Sequence, residues 1–391
     1  MLSAMTPCGP VPFPRTTPDD PPEPQASHEA SRKSEAIFLG PPPGSHQPIV
    51  TELIALLASR PDLAEALHTS LHRANRPGIG TLAHYYAFLD AMVTLIPTDR
   101  NLNAFVLQFY FLIDGSPNNL LQEDAAFQRW AGKFAADWGA FLDTPDSAEG
   151  IQGFFTNPAY HLEDYYVAPS GWLTFNQFFA RQVRPGRRLI DGRCDDRIVV
   201  SPADSVYQGQ WPITSSSTIT AKGLTWSVID LLEGSPDQNK FRGGLFTHSF
   251  LNVNDYHWFH VPVGGVVKEV RKIPGRVTMD VIKNPDESLG IVDGTGYQFT
   301  QDRGLIVLDS PLGLVAVLPI GMAQVSSVNL TAEVGATLVK GEEFGFFAFG
   351  GSDIVTLFEA GRVQLDANIG THYNQGRKIG HAAVAADGSS V

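Results

Sequence analysis

The feature that most constrains this chain is a change of texture between Pro185 and Arg193. Before it, from about Ile49, apolar residues recur three and four positions apart in ELIALLASRPDLAEALHTSLHRA, LAHYYAFLDAMVTLI, NAFVLQFYFLI and FQRWAGKFAADWGAFL. That period, with Asp, Asn and Gly between the runs, predicts amphipathic helices. After it the chain consists of short Val/Ile/Phe-rich runs broken by Gly, Pro and Asp. Examples are RIVVSPADSVYQGQW, GLFTHSFLNV, VGGVVKEVRKI, GLIVLDSPLGLVAVLPIG and FGFFAF. Turn signals at roughly eight- to twelve-residue spacing predict antiparallel strands there, with WSVIDLLEG as one short helix among them. Residues 1–46, rich in Pro, Ser and charge, have too little apolar surface to become ordered. The expected architecture is α+β: a disordered leader, 1–46, a helical domain, 47–185, and a β-rich domain, 186–391. No tandem repeat of the 20–50-residue kind is visible.

Composition narrows the function classes. A chain of 391 residues with 43% hydrophobic content can bury two cores. A net charge of −13 gives no support to nucleic acid or an anionic membrane surface as the main partner. The two cysteines, Cys8 and Cys194, suggest neither a disulfide framework nor a cysteine-based zinc site. No uninterrupted apolar run reaches the ~18 residues of a membrane span, and the N-terminus lacks the basic and apolar regions of a secretory signal. These features set the expectation of a soluble protein in a reducing, cytoplasmic setting.

Three segments carry residues suited to chemistry. In GEEFGFFAFGGSDIVTLFE, Ser352 follows Gly350-Gly351 between two apolar, strand-like runs. A buried serine after glycine can turn its hydroxyl onto the preceding carbonyl with little steric opposition, a geometry suited to backbone self-cleavage. Gly-Gly-Ser is also ordinary turn chemistry. In DYHWFH, Asp255, His257 and His260 fall within six positions, and Pro262 with Gly264-Gly265 favours a strand end running into a turn. Core packing and turn capping are open for these histidines, as is acid–base work near neutral pH. A metal site would need a third ligand that no nearby spacing supplies. Asp204, after Ser201-Pro202-Ala203, reads either as an Asx-turn or as a carboxylate that orients an imidazole. Lys222-Gly223 reads as a turn or as part of a pocket wall.

In this order the segments resemble the phosphatidylserine decarboxylase family of pyruvoyl enzymes. The resemblance runs from about Phe178 to about Asp366 through FFARQVRPGRRLI (178–190), SPAD, KGLTWSVIDLLEG, LNVNDYHWFHVPVGG (251–265), LPIGM (318–322) and FGGSDIVTLFE (349–359). The helical region, particularly DWGAFLDTPDSAEGI (137–151), is more similar to the soluble fungal branch that includes L-tryptophan decarboxylases than to the membrane-bound lipid enzymes.

The resemblance implies a zymogen. Ser352 Oγ attacks the Gly351 carbonyl, the ester so formed eliminates, and hydrolysis with loss of ammonia turns the Ser352 remnant into an N-terminal pyruvoyl group on a small subunit, 352–391. It implies that Asp204, His260 and Ser352 form the self-cleavage triad, Asp204 orienting His260. It further implies that the pyruvoyl ketone forms a Schiff base with the substrate amine and acts as electron sink as CO2 leaves. His257 would assist protonation, Asp255 and Tyr256 would shape the site, and neither metal nor external cofactor is required. Two positions depart from the family pattern: Ser205 stands where PADG has glycine, and Asp353 where Thr or Ser follows the cleaved serine. Asp353 is thereby a candidate for tuning substrate choice. Three other readings stay open. One is phosphatidylserine as substrate. Another is a pseudoenzyme that never cleaves. The last is a carrier-like binding module, suggested by EVGATLVKGEEFGFF, although Lys340 lacks the flanks of a carrier lysine.

Overall fold

The computed structural model describes residues 44–383, apart from 99–100, 215–217, 222–223, 292–296, 322–327 and 351. The expected leader, 1–46, and the Lys222-Gly223 turn therefore lie outside the described residues, save for Gly44–His46. Of these, His46 hydrogen-bonds Asp90 at 2.7 Å.

The helical reading holds. Pro48–Ser59 and Pro61–Ala74 are separate helices because Arg60 leaves helical geometry and Pro61 restarts it at a first-turn position. Asn75 ends the second in a left-handed conformation. The helix Leu82–Met92 is capped by Thr81, whose hydroxyl accepts from the His84 amide. Leu102–Asp114 follows, and then Ala125–Leu142, capped by the Asp124 carboxylate on the amides of Ala126 and Phe127. The last of these buries Phe127, Trp130, Ala131, Phe134, Trp138 and Leu142 along one stripe.

The second half is β-rich. Eight strands form one antiparallel sheet in the spatial order Thr337–Leu338, Gly265–Ile273, Arg303–Ser310, Gly313–Gly321, Ser352–Phe358, Leu245–Leu251, Ser205–Pro212 and His372–Tyr373. Two three-stranded sheets flank it, one of them containing Trp258–His260 and Glu343–Phe347. The segment expected as a helix is mixed: Leu224–Ser227 is a strand, and only Val228–Leu232 is helical, as a short 3-10 turn.

Among the described residues two apolar cores exist, but they divide by sheet face and not by sequence region. All seven residues of Ser352–Phe358 are buried. Ile354 and Phe358 join a core continuous with the helices, through residues such as Phe109, Phe134 and Trp138. Val355 and Leu357 point the other way, into a core with Val228, Leu232, Phe241 and Ile320. A strand covered on both faces has no alternating polar pattern, which accounts for the unbroken IVTLF run.

Candidate active site

Ser352 opens its strand, paired to Gly321 on one side and Leu251 on the other. Two residues earlier Gly350 has φ +150°, a conformation that a side chain would strain. Gly351, the other half of the expected scissile peptide, lies outside the described residues. The Ser352 hydroxyl is fully buried and has no hydrogen-bond partner among the described residues. An unsatisfied buried polar group costs about 1–3 kcal/mol, so such an orphan asks for a chemical explanation.

The approach to Ser352 is clamped by the helical region. Phe349 packs edge-on against Trp138, Phe175 and Phe179 at 5.3–5.4 Å between ring centroids. Its amide donates to Asn176 Oδ1, and Asn176 Nδ2 donates to Asp143. Two helices thus fix the residue just before Gly350.

Leu251, the pairing partner of Ser352, leads directly into the loop 252–257. The Asp255 carboxylate closes that loop on the Asn252 amide at 2.7 Å and takes His372 Nε2 at 2.9 Å. This contact raises the His372 pKa: burial works against the charge, and the hydrogen bond and charge of Asp255 outweigh it. His257 ends the loop. Its carbonyl accepts from the Phe347 amide, and its ring stacks on Phe179 at 3.9 Å. Both ring nitrogens are buried and without partners among the described residues. Burial, and then the Arg181 charge, hold its pKa well below the ordinary 6.5.

His260 lies in the following strand and is satisfied. Its Nδ1 is 2.9 Å from the Gly341 carbonyl, which can only accept, so Nδ1 carries the proton. Nε2 is left as the basic atom and faces the Tyr256 hydroxyl at 3.3 Å. Burial lowers the His260 pKa to about 4 and pushes the Tyr256 phenol up.

The expected contact between Asp204 and His260 is absent. Asp204 is buried, and Arg188 takes both its oxygens, with Nε–O distances of 2.9 Å. The Gln375 amide donates to Oδ1 at 2.7 Å. The Gly341 carbonyl fixes the His260 tautomer instead. Nor does either histidine hydrogen-bond Ser352. Asp353 follows Ser352 in the chain, but its side chain lies on the opposite face of the sheet. There Oδ1 meets His248 Nε2 at 2.7 Å, while Oδ2 has no partner among the described residues. Lys340, the residue a carrier module would modify, is buried and donates to the Gly192 carbonyl at 2.7 Å.

Several residues escaped the sequence reading. Arg181 and Arg188 lay inside a quoted motif with no role assigned. His248, His372 and Asn176 gave no signal, because their partners are far away in sequence.

The chain's own residues fit the family's self-made group. A fully buried, unpartnered serine hydroxyl sits at a strand head behind a backbone only glycine adopts readily, one strand from a loop bearing an unpartnered imidazole. Among the described residues no group of three or more His, Cys, Asp or Glu could hold a metal. The family model described as phosphatidylserine decarboxylase matches residues 175–381. This chain belongs to the phosphatidylserine decarboxylase family. Its fold is therefore that of pyruvoyl-dependent carboxy-lyases, whose electrophile is made from a serine of the proenzyme. Phosphatidylserine decarboxylase proenzyme 3 of Schizosaccharomyces pombe is 30% identical over 272 residues, 69% of this chain and 28% of that protein. A phosphatidylserine decarboxylase proenzyme of Anaeromyxobacter sp. is 30% identical over 233 residues, covering 54% of this chain and 79% of the relative. Decarboxylase iboD of Amanita muscaria is 27% identical over 293 residues, 64% of this chain and 82% of its own length. The chain spans only 28% of the Schizosaccharomyces pombe relative and 37% of an Oryza sativa one.

Proposed function

We propose that this chain is a self-processing, pyruvoyl-dependent decarboxylase of free amino acids, aromatic ones such as L-tryptophan included. The observation that carries the reading is the buried Ser352 hydroxyl without a partner behind Gly350. Cleavage between Gly351 and Ser352 gives a large subunit, 1–351, and a small one, 352–391, which remain together as partners. The small subunit stays attached through the strand 352–358, buried between its two neighbours. The domain division at about residue 185 and work in the cytoplasm belong to the same reading.

In processing, Ser352 supplies the nucleophile, and a free serine hydroxyl needs a base to act at neutral pH. His260 is uncharged there and its tautomer leaves Nε2 basic, which suits that role with Tyr256 as its neighbour. In turnover the pyruvoyl group supplies an electron-accepting carbonyl. His257 enters this step uncharged, so it takes a proton from the substrate ammonium at a ring nitrogen. The same nitrogen returns that proton to the carbon that has lost CO2. Asp255 and Tyr256 hold the loop in place around it.

The amino-acid reading draws support from Asp353. Its buried carboxylate, turned to the opposite sheet face against His248, still adds negative potential one residue from Ser352 and so disfavours a second anionic group, such as a lipid phosphate. Phosphatidylserine is the second reading, favoured by the names of most relatives. Product detection with L-tryptophan, other amino acids and phosphatidylserine vesicles separates them. An amine released from the free amino acids alone supports the first, and phosphatidylethanolamine alone supports the second.

A further inference from the structure

Arg181 presents a buried positive charge that the proposed chemistry does not yet use. It is 1% exposed, and its hydrogen-bond partners among the described residues are backbone carbonyls, not carboxylates. Three aromatic rings surround the guanidinium: Tyr165 at 4.2 Å, Phe178 at 5.3 Å and Tyr160 at 5.5 Å from Cζ. One of its nitrogens donates to the carbonyls of Asn254 at 2.5 Å and Asp255 at 3.2 Å, both in the loop that ends at His257. Its Nε has no partner among the described residues. Burying an unpaired cation is expensive, and a purely structural link between a helix end and two carbonyls does not require charge.

We propose that Arg181 is a positioning residue for turnover, holding the 252–257 loop by its carbonyls and setting a fixed positive charge against the loop that ends at His257. The inference rests on the role given to His257 above. The other titratable groups around that ring are turned elsewhere. Asp255 faces Asn252 and His372, Asp353 faces His248, Tyr256 faces His260, and Glu343, on the strand that carries Phe347, acts on Tyr256. Arg181 is thus the charge to which the imidazole responds, after its burial. Cation–π contacts stabilise the guanidinium where no carboxylate does.

Two substitutions separate charge from shape. Arg181→Met removes the charge and keeps the length; Arg181→Lys keeps the charge and loses the fork. His257 is followed by NMR titration of histidine-labelled protein, alongside intact-mass analysis and the pH profile of kcat. Arg181→Met is expected to raise the His257 titration, with the acid limb of kcat following. Arg181→Lys is expected to leave the titration low while kcat falls about tenfold or more, since the paired carbonyl contacts are lost. An unmoved titration in Arg181→Met overturns the proposal. So does an equal rise in both variants, which would mean loosening and not charge. Should Arg181→Met not fold, Arg181→Lys decides alone: wild-type kcat at every pH overturns the positioning role. If even the wild-type chain stays uncut, self-processing fails as a reading, yet the His257 titrations in the uncut chain still decide the coupling to Arg181.

Discussion

At the scale of single residues, the two histidines of DYHWFH have separate environments and should fail separately. His260→Ala removes the proposed base, whose tautomer Gly341 fixes, and should leave the chain uncut by intact mass. His257→Ala should still be cut but turn over about 10²–10⁴-fold more slowly, the usual range for a lost acid–base group. An uncut His257→Ala chain would reverse the assignment. Asp353 is testable by Asp353→Thr in processed enzyme. The ratio of kcat/KM for L-tryptophan to that for phosphatidylserine should fall about tenfold or more as the buried carboxylate is lost; an unchanged ratio would remove Asp353 from substrate choice. Ser352, His257 and His260 could be singled out as candidates because glycine and imidazole chemistry is local. The partners were not. Arg188 and Asp204 meet across 16 positions and Asp255 and His372 across 117, and a single sequence gives no sign of such pairings. The carboxylate read as an orienter for His260 is satisfied by a guanidinium that the reading had passed over.

At the scale of elements, the helical region packs directly onto the segment that leads to Ser352. Helix Ala125–Leu142 presents Trp138 to Phe349, and helix Phe175–Phe179 presents Asn176 to the Phe349 amide. Trp138 is fully buried, so Trp138→Ala should cost about 3–5 kcal/mol in denaturant unfolding. It should also slow cleavage in the fraction that remains folded, measured as uncut chain against time. Wild-type cleavage kinetics would show that the clamp does not act on the scissile segment. Helix positions were readable from the three- and four-residue period, and their boundaries from Pro61, Thr81 and Asp124. What those helices touch was not readable, since the same apolar stripe would serve any core. The strand–3-10 mixture at 224–232 was missed because WSVIDLL carries a helical period over too few residues to separate it from a strand.

At the scale of the whole molecule, the two cores share the large sheet as their wall, so helical and β regions unfold as neighbours joined by one apolar core. Its histidines make that stability acid-sensitive. The pKa of His260 drops from 6.5 unfolded to about 4 folded, so its contribution is complete above pH 6.5 and is lost as pH falls towards 4. The loss is on the order of 3 kcal/mol, and His257 adds to it in the same direction. His372, raised by Asp255, works oppositely, its contribution fading as pH rises, and it is too exposed to offset the others. Urea unfolding at pH 7, 5.5 and 4.5 should show falling stability; a flat profile would contradict the buried, neutral histidines. The α+β architecture was legible from texture alone. The division of cores by sheet face was not, because a strand buried on both sides gives no alternation.

The most direct measurement is intact-mass analysis of the purified wild-type chain together with labelling by a hydrazide reagent. The account predicts two polypeptides, with a hydrazide-reactive fragment 352–391 whose N-terminus is blocked, and a single unlabelled chain for Ser352→Ala. One unbroken wild-type chain without a reactive carbonyl would contradict it.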